Sequence, residues 1–263
     1  MIQYPNIDPV IIKIGPLSMR WYGLMYIFGF ISSYLLTLYQ LKKKPSLKIG
    51  KAAIDDLYFY LILGLIIGAR LGYIIFYNLG FYIDNPLEVF VVWHGGMSFH
   101  GGLIGTFIAG YFVIKKWHLN FFTIADLIIP TCPIGIGFGR LGNFINAELL
   151  GKPSDVPWAM VFPQGGDVAR HPSQLYEAFL EGLVLFVVLW VYKNYKKREG
   201  DVFAVFLILY GIFRIFCEHF REPDQQVGYI LGMLTMGQIL SSAMIFMGLF
   251  LKFLYLPKHS RKI

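Results

Sequence analysis

The chain has 263 residues, of which 56% are hydrophobic, 17% aromatic and only 15% charged. Soluble domains carry about 25% charged residues, so a water-facing surface is excluded. Disorder is excluded by the apolar content, and a disulfide scaffold by a count of two cysteines. An integral membrane protein remains, in line with a mean hydropathy of +0.58. The formal charge is +7, but the basic residues are scattered between long apolar runs rather than gathered on one patch. That pattern points to membrane topology, and no nucleic-acid partner is expected.

Trp21 to Leu41 is a run of 21 uncharged residues. It is long enough to cross about 30 Å of hydrocarbon at ~1.5 Å per residue. The same reading predicts seven spans, near 17–40, 55–78, 97–115, 121–141, 174–193, 202–220 and 234–256. A bilayer core demands internally satisfied backbone, and there is no strand-like alternation, so the spans are helices. The expected fold is all-α: a polytopic membrane protein with seven transmembrane helices, residues 1–263 forming a single integral membrane domain. The first span lacks a basic leader and a small-residue cleavage site, so it is expected to be retained.

Lys and Arg set the expected orientation. One set of loops holds Lys42, Lys43, Lys44, Lys48 and Lys51, then Lys115 and Lys116, then Lys193, Lys196, Lys197 and Arg198. The C-terminal end adds Lys252, Lys258, Arg261 and Lys262. The positive-inside rule then places the N-terminus outside and the C-terminus in the cytoplasm. Two external segments exceed what a connector needs. Residues 79–96, with Phe81, Tyr82, Phe90 and Trp93, read as an interfacial arm; the Pro- and Gly-rich stretch 149–173 reads as a small folded cap.

Ionisable side chains within spans are costly and mark functional sites by default. Here they are Arg70, His100, Arg140, Glu177, Glu181, Arg214 and Glu218, with Tyr22 at the start of the first span. With the orientation above, nearly all lie in the outer halves of their helices, while the inner halves look nearly bare. The 15 basic residues assigned to the cytoplasm include only two Arg, whereas six of the remaining eight are Arg. Arginine binds phosphate or carboxylate bidentately and stays charged when desolvated, so an anionic ligand is expected on the outer side. Structural Arg–Glu pairing accounts equally well for any single Arg. Tyr210, Arg214 and Glu218 recur every four residues and share a helix face, with Arg221 beyond. Glu177 and Glu181, also four apart, need an Arg between them, from Arg70 or Arg140. His100 sits among glycines at a helix start, where a neutral imidazole can accept a proton, although a lone His there is more often structural. The histidines and cysteines lack metal-ligand spacing, so no metal is expected.

Gly139-Arg140-Leu141-Gly142-Asn143-Phe144-Ile145-Asn146-Ala147-Glu148 is long and specific. It resembles the signature of prolipoprotein diacylglyceryl transferases. So do Arg20-Trp21-Tyr22-Gly23-Leu24-Met25-Tyr26, Ser98-Phe99-His100-Gly101-Gly102-Leu103, Arg170-His171-Pro172-Ser173-Gln174-Leu175-Tyr176-Glu177 and Tyr210-Gly211-Ile212-Phe213-Arg214. The resemblance implies transfer of diacylglyceryl from phosphatidylglycerol to a lipobox cysteine in a prolipoprotein signal peptide. Glycerol phosphate would be released, no cofactor used, and the site would face outward from a bacterial cytoplasmic membrane. It implies that Arg140 and Arg214 bind the phospholipid, and that Tyr22, His100, Asn143 and Glu148 are needed for activity. Attack by a thiol of pKa ~8.5 needs a base, for which His100 is the first candidate and Glu177 or Glu148 the next. Glu177, Glu218 and Tyr210 are expected to orient the substrate-binding arginines. Two other readings are an anion or lipid transporter, which would need polar positions through both membrane halves, and an intramembrane hydrolase using Ser98 with His100, which lacks a nucleophile elbow.

Overall fold

The computed structural model describes residues 2–15, 17–91, 95–223, 228–230 and 233–259. Trp93, Arg261 and Lys262 lie outside the described residues. The chain falls into two compact units, residues 38–121 and residues 1–37 with 122–263.

The smaller unit takes in the end of α1 (Trp21–Lys43), followed by α2 (Lys51–Tyr77) and α3 (Leu79–Asp84). A 3₁₀ turn at Pro86–Phe90 leads on toward α4 (Phe99–Lys116), so the stretch read as an arm carries short helical turns. Helices α2 and α4 run antiparallel with their backbones in contact. A Cβ at Gly64, Gly68 or Gly72 would come under 3.0 Å from backbone at Gly101 or Gly105. Small residues every four positions allow this approach where no hydrophobic effect drives helices together in lipid. Outward, Phe59, Phe107 and Phe112 stand more than half exposed. Gly68→Val is therefore expected to wedge the pair apart and lower unfolding stability in detergent by about 1–3 kcal/mol. Gly80→Ala, where nothing lies within 4 Å, should change stability by less than ~0.5 kcal/mol.

The larger unit contains most of the helices and all of the strands among the described residues. Its strands are β1 (Ile2–Gln3), the hairpin β2 (Val10–Ile14) and β3 (Leu17–Arg20), β4 (Met160–Val161), β5 (Ala169–Arg170), and the short pair β6 (Tyr229–Ile230) and β7 (Leu234–Thr235). Its helices after α1 are α5 (Phe121–Ile145), α6 (Ser173–Tyr192), α7 (Asp201–Glu218) and α8 (Met236–His259). The structure is mostly helical, and among the described residues three small sheets of short strands accompany the helices, which the all-α expectation did not include. In the largest, β4 lies between a parallel β1 and an antiparallel β5. This fold of 2–3 onto 160–170 is fixed by Tyr4, which packs on Phe144 and Phe162 and donates its hydroxyl to the carbonyls of Phe144 (2.9 Å) and Ile145 (2.8 Å). Burial raises the Tyr4 hydroxyl above its usual pKa.

Pro130 interrupts α5 with a 3₁₀ turn, and Thr131 donates its hydroxyl to the Ile128 carbonyl at 2.6 Å. Among the described residues, five helices are long and apolar enough to cross a membrane: α1, α2, α5, α6 and α8. Helices α4 and α7, each of 18 residues, are not among them.

One end of this unit holds a polar cluster that the sequence reading passed over. Asp126 is buried in α5 and accepts hydrogen bonds from the backbone N–H of Gly200 (2.8 Å), Val202 (3.1 Å) and Phe203 (3.0 Å) and from Lys196 Nζ (2.9 Å). Asp201 beside it accepts from the N–H groups of Lys197 and Arg198 and from Lys252 Nζ at 2.7 Å. The expectation of nearly bare helix halves on that side is therefore overturned. The two aspartates clamp the start of α7 to α5 and α8.

Candidate active site

At the opposite end of the same helices the sequence-predicted residues converge. Gly137 of α5 and Gly182 of α6 meet backbone to backbone: a Cβ on Gly182 would lie 2.7 Å from the Gly137 Cα. This crossing brings Arg140, one turn past Gly137, beside Glu177 and Glu181. From Ala178 to Val184 the helix widens into π-type turns, a feature that clusters at functional sites.

Arg140 Nε lies 3.1 Å from Glu177 Oε2, and its Nη2 donates to Glu181 Oε2 at 3.3 Å. Arg214 of α7 reaches in from the other side. Its Nη1 makes a short bond to Glu177 Oε1 and lies 3.7 Å from Glu181 Oε1, while Nη2 is 2.8 Å from Glu218 Oε2. Arg221 Nη1 stands 3.9 Å from the same Glu218 oxygen. The Tyr210 hydroxyl lies among Arg140, Arg214, Glu177 and Glu181. The side chains of Glu177 and Glu181 are 1% and 0% exposed, whereas Arg140 keeps 17% and so is the member that looks outward.

A second group is built on the end of α5. Asn143, three residues after Arg140 and on the same face, is buried and donates to Glu148 Oε1 at 2.7 Å; Asn146 adds a longer bond of 3.3 Å. The chain reverses between them, with positive φ at Ala147 and Leu149. Gln174 Nε2 fixes the turn by donating to the Glu148 carbonyl at 2.6 Å. Tyr22 packs over Gly142, where a Cβ would meet its ring at 2.9 Å, and shares a 3.2 Å hydrogen bond with Tyr26.

The segment 149–173 is tied to the arginine cluster through backbone. Gly151 bridges Arg221, and Pro153 bridges Arg170, whose guanidinium pairs with Glu222. His171 rests against Tyr176 and Phe220, and burial holds its imidazole below the usual histidine range.

His100 belongs to the smaller unit. It is exposed, as the second residue of α4, and Ser98 caps that helix by accepting the Gly101 N–H at 3.2 Å. Of the glycines around it, Gly101 serves the close packing on α2. Arg140 is the arginine set beside Glu177 and Glu181, and Arg70 is engaged by backbone. All five N–H positions of its guanidinium are directed at backbone carbonyls, those of Glu88, Val89, Val91, Gly95 and Gly96. Its face also lies 5.1 Å from the centre of the Tyr82 ring. Arg70 thus holds together the segment that leads into Ser98 and His100. Among the described residues, no group of three or more His, Cys, Asp or Glu is arranged to hold a metal.

The sequence profile of a family described as "Prolipoprotein diacylglyceryl transferase" matches residues 9–254. The chain belongs to the prolipoprotein diacylglyceryl transferase family. Among its relatives, a phosphatidylglycerol–prolipoprotein diacylglyceryl transferase of Bordetella avium is 49% identical over 263 residues, covering 100% of both chains. One from Nitrosospira multiformis is 50% identical over 94% of this chain and 86% of its own. One from Geobacter sulfurreducens is 50% identical over 94% of this chain and 95% of its own.

Two contributors to the site in this family member carry no charge and were not singled out from sequence. Gly182 permits the α5–α6 crossing. Gly237 lies at the start of α8, where a Cβ would stand 2.8 Å from the Glu218 carboxylate. The N-terminal end of α8, with a Thr235–Gln238 capping box, therefore abuts that carboxylate.

Proposed function

We propose that this chain transfers the diacylglyceryl group of phosphatidylglycerol to the lipobox cysteine of a prolipoprotein signal peptide, the first step of lipoprotein maturation. Membership of the family over residues 9–254 supports the reaction. The observation that carries the site is the meeting of Arg140 and Arg214 over buried carboxylates at one end of the helices. Five helices suited to crossing a membrane support a multi-pass protein, and the α4 and α7 helices complete the proposed seven spans. The loop lysines support an outer N-terminus and a site toward the outer face of a bacterial cytoplasmic membrane.

In this reaction a C–S bond forms at the glycerol carbon as its C–O bond to phosphate breaks. The electron pair stays on the phosphate oxygen, and the thiol proton passes to a base. Arg140 and Arg214 bind the phosphate and stabilise its growing charge, which a dry site makes worth several kcal/mol. Glu177, Glu218 and Tyr210 hold the two guanidiniums in place. Asn143 and Glu148 form a hydrogen-bonding pair beside Arg140, suited to the glycerol headgroup, and Tyr22 closes that side against Gly142. His100 serves as the base.

The test uses the purified full chain in phosphatidylglycerol liposomes with a lipobox peptide. The peptide should gain the mass of one diacylglyceryl group as glycerol phosphate is released; no gain would remove the proposal. His100→Gln should lower the rate by about 10²–10⁴-fold and remove a limb of the pH–rate profile. A full rate with an unchanged profile would strip His100 of the base role.

A further inference from the structure

Among the described residues, the buried cluster contains three arginines, Arg140, Arg214 and Arg221, and three glutamates, Glu177, Glu181 and Glu218. Its formal charge is therefore balanced before any substrate arrives. Adding a phosphodiester anion would leave one uncompensated negative charge among side chains almost wholly removed from water. A low-dielectric site relieves such a surplus by neutralising a carboxylate, because an unpaired buried charge costs more than a proton taken up. We propose that the site holds a phosphodiester anion together with one proton, and that Glu181 carries it; this rests on the phosphatidylglycerol reading above.

The geometry singles out Glu181. Glu177 lies between both arginines, with Arg140 Nε at 3.1 Å and a short bond from Arg214. Glu218 has Arg214 Nη2 at 2.8 Å and the positive end of α8 against it. Among the described residues, one oxygen each of Glu177, Glu181 and Glu218 has no hydrogen-bond partner, but those of Glu177 and Glu218 still lie 3.1 and 2.8 Å from an arginine nitrogen, whereas Glu181 has the longest contacts to the two shared arginines, 3.3 and 3.7 Å. Facing it are Arg140 from α5, Glu177 from its own helix, and Arg214, Tyr210 and Cys217 from α7. None of these is a further cation able to offset a new anion. Protonating Glu181 releases its share of both guanidiniums, so the phosphate takes the place of that carboxylate as their counter-ion. A lipid headgroup with no net charge makes no such demand.

The experiment compares the full-length wild type with Glu181→Gln in detergent, each with and without short-chain phosphatidylglycerol. Near neutral pH, the infrared spectrum of the lipid-bound wild type should contain a protonated-carboxyl band that is missing from lipid-bound Glu181→Gln. Wild-type affinity should fall with rising pH, by up to about tenfold per unit, and Glu181→Gln should bind without that fall. A lipid-bound wild type with no such band overturns the proposal. So does a band that persists in Glu181→Gln, or a Glu181→Gln protein that folds but no longer binds. A wild type that binds no phosphatidylglycerol at any pH would instead remove the functional reading itself.

Discussion

Arg140→Ala is expected to lower diacylglyceryl transfer by at least about 10²–10³-fold, the usual cost of losing one donor to a developing oxyanion. Arg140 is the most exposed member of the buried network and the one placed to meet a ligand. Its loss also leaves Glu177 and Glu181 with Arg214 alone. Breaking one partner out of a buried ion pair costs about 3–5 kcal/mol unless the orphaned carboxylate takes up a proton. The variant must therefore be shown to be folded, by unfolding temperature and elution volume, before its rate is interpreted. Arg140→Lys restores the charge but not the planar fork, and should recover only part of the rate. Full activity in a folded Arg140→Ala protein would sink the assignment.

Asp126→Ala is expected to have the largest effect on stability, a loss of about 3–5 kcal/mol. The carboxylate accepts three backbone N–H groups and a lysine, all of which lose their partner at once. Asp126→Asn keeps one carbonyl oxygen for the start of α7 and should lose less. Transfer per folded molecule should be unchanged in both, because Asp126 lies at the other end of α5 from Arg140. Thermal unfolding in detergent measures the first effect and the liposome assay the second. An unchanged midpoint, or a folded but inactive protein, would show that the clamp has been misread.

The contrast between these two clusters shows what was legible in the sequence. Arg140, Glu177, Glu181, Arg214 and Glu218 were readable because an ionisable group inside an apolar run is rare enough to stand out. The Tyr210–Arg214–Glu218 spacing even gave the shared helix face. Asp126 goes unmarked although it lies inside the expected span 121–141, because its backbone partners are invisible in a list of side chains. Gly182 and Gly237 were missed for a related reason. Their contribution is an absent Cβ, and only the facing residue, Gly137 or Glu218, shows that the space is used. The short strands were lost too, since pairs of two residues carry no periodicity. Arg70 and Arg140 stood as alternative partners for Glu177 and Glu181, and Arg140 is the one that pairs, because sequence shows which carboxylates exist and not where carbonyls will gather.

That gathering of carbonyls around Arg70 bears on how the neighbouring chain opens. Peeling Glu88–Val91 or Gly95–Gly96 away from α2 strips acceptors from a cation that has none to spare. The segment should therefore not fray from one end. In hydrogen exchange its protected amides are expected to exchange together, as one cooperative unit that includes the first turn of α4. A stretch that looks like surface loop would then behave as part of the core, keeping the approach to His100 ordered.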